Sequence, residues 1–143
     1  MRRTSKQVIV FAPTSTTNGA TTAGTFDTLG YDYATVDLIA TTTNDATNNF
    51  SVLTLSESDD TVVTNFATIS GFVGDTDFTI ANGDASNPYG TKLNVDLRGR
   101  KRYLRLAVTP VTTQTLTAVA NLSYGTDSPD DATTAGVVNL VEG

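Results

Sequence analysis

The sequence predicts an all-β fold, an antiparallel β-sandwich or jelly-roll-like barrel of about eight strands with extended amino- and carboxyl-terminal arms. Three observations carry that prediction. Threonine, which is β-branched and suits a pleated, half-buried surface, occupies 28 of the 143 positions. Short runs of apolar residues, several in strict alternation with polar ones, recur along the chain between Gly, Pro, Asn and Asp turn signals. No stretch of roughly ten residues or more carries the helical apolar period, which leaves helix a minor role.

The first run is Lys6 to Ala12, broken by Pro13 and a polar tract containing the turn dipeptide Asn18-Gly19. Thr22 to Leu29 follows, ended by Gly30. From Tyr31 to Thr41, Ala34, Val36, Leu38 and Ala40 share one face; Ile39 falls on the other and suggests a strand covered on both sides. Phe50–Glu57 and Val62–Ile69 flank the acidic turn Ser58-Asp59-Asp60 and form a candidate hairpin. A short strand over Asp77–Ala81 is expected within an otherwise loop-like stretch from Ser70 to Gly90. The clearest alternation places Leu93, Val95 and Leu97, then Leu104, Leu106 and Val108, on one face of a second hairpin whose tip is Arg98-Gly99-Arg100-Lys101. Thr115–Ser123 is the last strand, with Leu116, Ala118, Ala120 and Leu122 facing in.

This organisation divides the chain into a sandwich domain over 1–125, including a basic arm at 1–6, and an arm over 126–143. The tail has two readings. Its apolar patch, with Val137, Val138 and Leu140, either contacts another subunit or adds one more strand to the same chain.

Composition excludes much chemistry. With no Cys and no His, the chain lacks thiol nucleophiles, Cys/His zinc sites, haem-ligating His and the usual base of a hydrolytic triad. A non-enzymatic protein without cofactor or metal is expected. No apolar run reaches the roughly 18–20 residues needed to span a bilayer, and the start of the chain lacks a convincing signal peptide. The net charge of −6 is segregated: Arg2, Arg3 and Lys6 lie at one end, six further basic residues lie between Lys92 and Arg105, and none lies from Gln7 to Thr91. The acidic middle should repel nucleic acid and anionic membrane.

The basic cluster Arg98, Arg100, Lys101 and Arg102 beside Tyr103 either binds a protein surface through its guanidinium groups or is a solvated turn. The acidic groups Asp75-Thr76-Asp77 with Asp84, and Glu57-Ser58-Asp59-Asp60, offer oxygens to calcium but lack EF-hand spacing, so solvated loop is the expectation. Tyr31 and Tyr33 read as packing residues. An aromatic sugar platform normally includes Trp, which is absent.

Three segments carry a family resemblance: Thr-Leu-Gly-Tyr-Asp-Tyr at Thr28–Tyr33, Glu-Ser-Asp-Asp at Glu57–Asp60, and Asp-Leu-Arg-Gly-Arg-Lys-Arg-Tyr-Leu at Asp96–Leu104. With Ser128-Pro129 after the last strand, the chain from about Val8 to Pro129 resembles small virion proteins of tailed bacteriophages. The resemblance implies head decoration: binding to the major capsid protein on the outside of the shell, as homotrimers near local three-fold positions, after synthesis in the bacterial host cytoplasm. It carries over no catalytic residue. The expected interface is Arg2, Arg3, Arg98, Arg100, Lys101, Arg102, Val137, Val138 and Leu140. The rivals are a carbohydrate-binding virion sandwich and a tail or neck component.

Overall fold

The computed structural model describes residues 5–41, 50–82, 89–124, 137 and 139–143. Strands β1 (Ser5–Thr16), β2 (Thr22–Asp27), β3 (Tyr33–Ala40) and β4 (Phe50–Ser58) are followed by β5 (Ala67–Val73), β6 (Tyr89–Asp96), β7 (Tyr103–Pro110), β8 (Gln114–Ser123) and β9 (Asn139–Glu142). One sheet has the order β1-β8-β3-β6-β9 and the other β2-β7-β4-β5.

The pairings explain that order. β4 pairs with β5, β3 with β6, β2 with β7 and β1 with β8, all antiparallel, so the chain forms one long nested hairpin. Successive pairs fall in alternate sheets, and the sheets are completed by β3–β8 and β4–β7 pairing. This is the winding of an eight-stranded jelly roll laid out as an open sandwich. The alternation supplies the core: Val36, Leu38, Leu93, Val95, Leu116 and Leu122 of one sheet face Leu53, Leu55, Leu104, Leu106 and Val108 of the other, all buried. Each such Leu or Val contributes roughly 1.5–3 kcal/mol of transfer free energy. At one margin the sheets close tightly, because a Cβ at Gly24 of β2 would overlap the Val10 carbonyl of β1.

Several expectations need correction. Leu93–Leu97 and Leu104–Val108 do not pair with each other, since β6 and β7 lie in different sheets. Both apolar faces look into the same core from opposite sides, so the Arg-rich segment crosses between sheets and caps no hairpin. Ile39 is 49% exposed, leaving β3 covered on one face only. Pro13 does not end β1, which sits at a sheet edge where a missing N–H is tolerated; its register shifts between Ile9 and Phe11 and again between Phe11 and Thr14. The Asp77–Ala81 strand reduces to a single bridge between Gly74 and Phe78, enclosing Asp75 at φ 59°. The β4–β5 hairpin forms, but its second strand starts at Ala67, after a 3₁₀ turn over Val63–Asn65. From residue 139 the tail is no arm. It is β9, paired in parallel with β6, which was the second of the two readings.

Candidate interaction surface at the Arg-rich end

Strand registers define the two ends of the sandwich. Ser5 lies opposite Ser123, which lies opposite Tyr33, which lies opposite Asp96; in the other sheet Asp27 and Ser58 both lie opposite Tyr103. Three connections therefore meet at this end: 28–32, 59–66 and 97–102. They contain or adjoin the three segments that carry the family resemblance.

Local sequence shapes the third connection. Arg100 N–H donates to the Leu97 carbonyl at 3.0 Å and Gly99 takes φ 82°, the arrangement of a type II turn that requires glycine at its third position. Asp96 Oδ1 accepts the Arg98 backbone N–H at 3.0 Å. Arg98 then closes back on Asp96 through Nε at 2.9 Å and Nη2 at 2.6 Å, with its guanidinium 5.1 Å from the Tyr33 ring centre. That fork holds the Asp96 carboxyl down to about 2 and raises the Arg98 pKa further.

The remaining basic residues are also partnered. Arg102 donates to Asp27 through Nε at 3.0 Å and Nη2 at 2.7 Å and lies 5.0 Å from the Tyr103 ring centre; the guanidinium lowers the Asp27 pKa. The Arg102 carbonyl accepts from Thr28 Oγ1 at 2.7 Å and from the Thr28 backbone N–H at 3.0 Å. Glu57 accepts the Lys101 backbone N–H at 3.0 Å and lies 3.9 Å from the Arg100 guanidinium, while Lys101 Nζ is 3.6 Å from Asp59. Asp60 accepts from Asn65 Nδ2 at 2.8 Å and from the Val62 N–H at 2.9 Å, which lowers its pKa and shapes the β4–β5 connection.

The basic cluster is thus matched with acids: Arg98 with its neighbour Asp96, and Arg100, Lys101 and Arg102 with Glu57, Asp59 and Asp27 of the acidic middle. Sequence reading singled out Glu57 and Asp59 but missed that they, with Asp27, pair with the basic cluster, because the partners lie far away, 44 positions for Glu57–Lys101 and 75 for Asp27–Arg102. It also missed the apolar rim. Leu29, Val62, Val63 and Tyr124 are each at least half exposed and account for four of the seven exposed large apolar side chains among the described residues. Tyr124 stacks on Tyr31 with ring centres 5.1 Å apart.

Of the other expected interface residues, Val137 and Leu140 do not join this end. Val137 and Leu140 are half-buried on or beside β9; Val137 sits against Gly90, at the start of β6, and Leu140 lies in register with Lys92. Arg2, Arg3 and Val138 lie outside the described residues, as does Asp84. Asp77 is occupied by the Gly71 and Val73 N–H groups at 2.8 and 3.0 Å, and Asp75 by that of Ile80 at 3.0 Å.

No family model and no curated protein matches the sequence. Among solved structures, the chain is similar to part of a family GH115 4-O-methyl-α-glucuronidase with specificity for decorated arabinogalactans, at 11% identity and a TM-score of 0.43. The match covers 88% of this chain and 18% of that one.

Proposed function

We propose that this protein is a structural adhesion module, a head-decoration protein that binds the major capsid protein on the outside of a phage shell as a homotrimer. The observation that supports it is convergence. The three segments that resemble small virion proteins are distant in sequence, yet they build one end of the sandwich, which carries both exposed Leu29, Val62, Val63 and Tyr124 and neutralised Arg–carboxylate pairs. Apolar and aromatic side chains with arginine are the composition of protein–protein contact centres. Internal pairing also lowers the appeal of this end to nucleic acid, since each guanidinium fork already holds a carboxylate. Many copies, each with a modest interface, would sum to a large gain against internal pressure.

Purified protein mixed with undecorated heads should co-sediment with them and raise the temperature at which they release DNA. Absence of both effects would remove the decoration reading. The informative variant is Leu29→Ser with Val63→Ser, because both side chains are exposed and replacing them should leave the fold intact. Attachment should weaken by tenfold or more, on the order of 1–2 kcal/mol for losing two rim contacts. Charge reversal at Arg102 is a poorer test, since it would also break the tie to Asp27.

A further inference from the structure

We infer that the outer edge of β6 is a docking site for the β9 strand of a second copy of this chain, so that neighbouring subunits exchange their last strands. The inference stands apart from the virion reading, because it concerns association of the chain with itself.

Eight strands already complete the jelly roll. β9 is an addition of four residues, and it pairs in parallel where every other strand pairing is antiparallel. It lies along Thr91–Asn94 of β6 and covers backbone groups that would otherwise form an open edge. Its contacts are self-contained. Val141 is buried beside Leu93, Asn139 Nδ2 donates to the Thr79 carbonyl at 3.4 Å, and Asn94 Nδ2 donates to Glu142 Oε1 at 3.3 Å. Gly143 N–H donates to the Asn94 carbonyl at 3.1 Å, and its carbonyl accepts from the Asp96 N–H at 3.1 Å. Gly143 also fits against the Phe72 ring, where a Cβ would come within 2.7 Å of Cε2. All of these groups belong to β9 or Gly143 on one side and to β5, β6 or the 74–82 connection on the other. They are satisfied equally whichever copy supplies the strand.

Chain length permits the exchange. β8 ends at the Arg-rich end, whereas β9, parallel to β6, begins at the opposite end. The eight-residue β6 spans roughly 26 Å at the usual rise. Tyr124 and Asn139 are fifteen positions apart, a reach of up to about 50 Å when extended. The connection is nearly twice as long as the path within one subunit needs.

The absence of cysteine makes the test direct. Asn94 and Glu142 are register partners across β6 and β9. Two differently tagged full-length chains, one carrying Asn94→Cys and the other Glu142→Cys, are co-expressed, concentrated and oxidised. A covalent pair bearing both tags should be the main linked product, well above same-variant pairs, because each chain holds only one half of the bond. Mixed pairs no more abundant than same-variant pairs would overturn the inference. The double variant Asn94→Cys/Glu142→Cys provides the second arm. It should yield linked dimers and larger closed species on a non-reducing gel, and closure only within single chains would overturn the proposal as decisively.

Discussion

Where β1 meets β2 and β7 meets β8, hydroxyls hold the corner: Thr16 and Thr22 share a hydrogen bond of 2.6 Å, and Thr21 and Thr109 one of 2.7 Å. At the far end of the sandwich, carboxylates hold it instead, with Asp27 on Arg102, Asp96 on Arg98 and Glu57 on the Lys101 backbone. The corner segments 16–22 and 109–115 contain no charged residue at all. Both ends tie strand connections together, but the Thr16–Thr22 and Thr21–Thr109 contacts carry no charge, whereas the contacts of the Arg-rich end do. The contrast separates an end built for closure from one that also carries exposed apolar side chains, and it makes each role testable.

The largest effect expected is at Glu57. Its side chain is mostly buried, accepts a backbone N–H from the 97–102 connection and faces Arg100. Glu57→Ala should cost about 1.5–3 kcal/mol, the usual worth of a hydrogen bond to a charged group, read as a lower urea midpoint. An unchanged midpoint would reduce the ionic end to surface decoration. At the hydroxyl corner the expected sign is reversed. Gln114 is 3% exposed and neither its Nε2 nor its Oε1 has a partner among the described residues. Gln114→Met, similar in volume and free of that desolvation cost, should stabilise by on the order of 1 kcal/mol and raise Tm. A lower Tm would show that the amide is satisfied in solution.

Sequence made the strands legible and their partners illegible, for a physical reason. Burial along a strand has period two, so Leu93 and Val95, or Leu116, Ala118, Ala120 and Leu122, disclose their inner face locally. Pairing is not local. The short glycine-containing link between β6 and β7 reads as a hairpin turn, yet the nested winding sends the two strands to opposite sheets. For the candidate site the division is the same. Arg98–Arg102 stood out as a cluster, but neutralisation by Asp27, Glu57 and Asp59 and the rim formed by Leu29, Val62 and Val63 depend on contacts that only the fold creates. The tail was legible as an apolar patch, and β6 decides that it forms a strand.

Acid sharpens the comparison further. Asp96 titrates at about 2 in the folded chain against an ordinary 3.8, and Asp27 is shifted in the same direction. A depressed carboxyl stabilises the fold above its ordinary pKa, and that contribution disappears as pH falls through the interval between the two values. Tm should therefore decline between 3.8 and about 2, and Asp96→Asn should make that decline shallower. The Thr16–Thr22 corner has nothing to titrate in this range, so Thr22→Val should shift Tm by the same amount across it. A pH-dependent shift for Thr22→Val would erase the distinction between the ends.

The smallest expected effect is the most specific. Asp27 and Arg102 form a forked pair with both side chains more than a third exposed, so solvent screens most of their attraction. A double-mutant cycle with Asp27→Asn and Arg102→Gln should give a small favourable coupling at low salt. The coupling should shrink toward zero near 1 M salt, where the screening length falls to about 3 Å. The same cycle on Thr16 and Thr22, using Val at each position, should not depend on salt, because neither hydroxyl carries net charge. If the two cycles respond alike, the Asp27–Arg102 contact is held by geometry and packing against Tyr103, and the cation–ring approach at 5.0 Å becomes the interaction to dissect next.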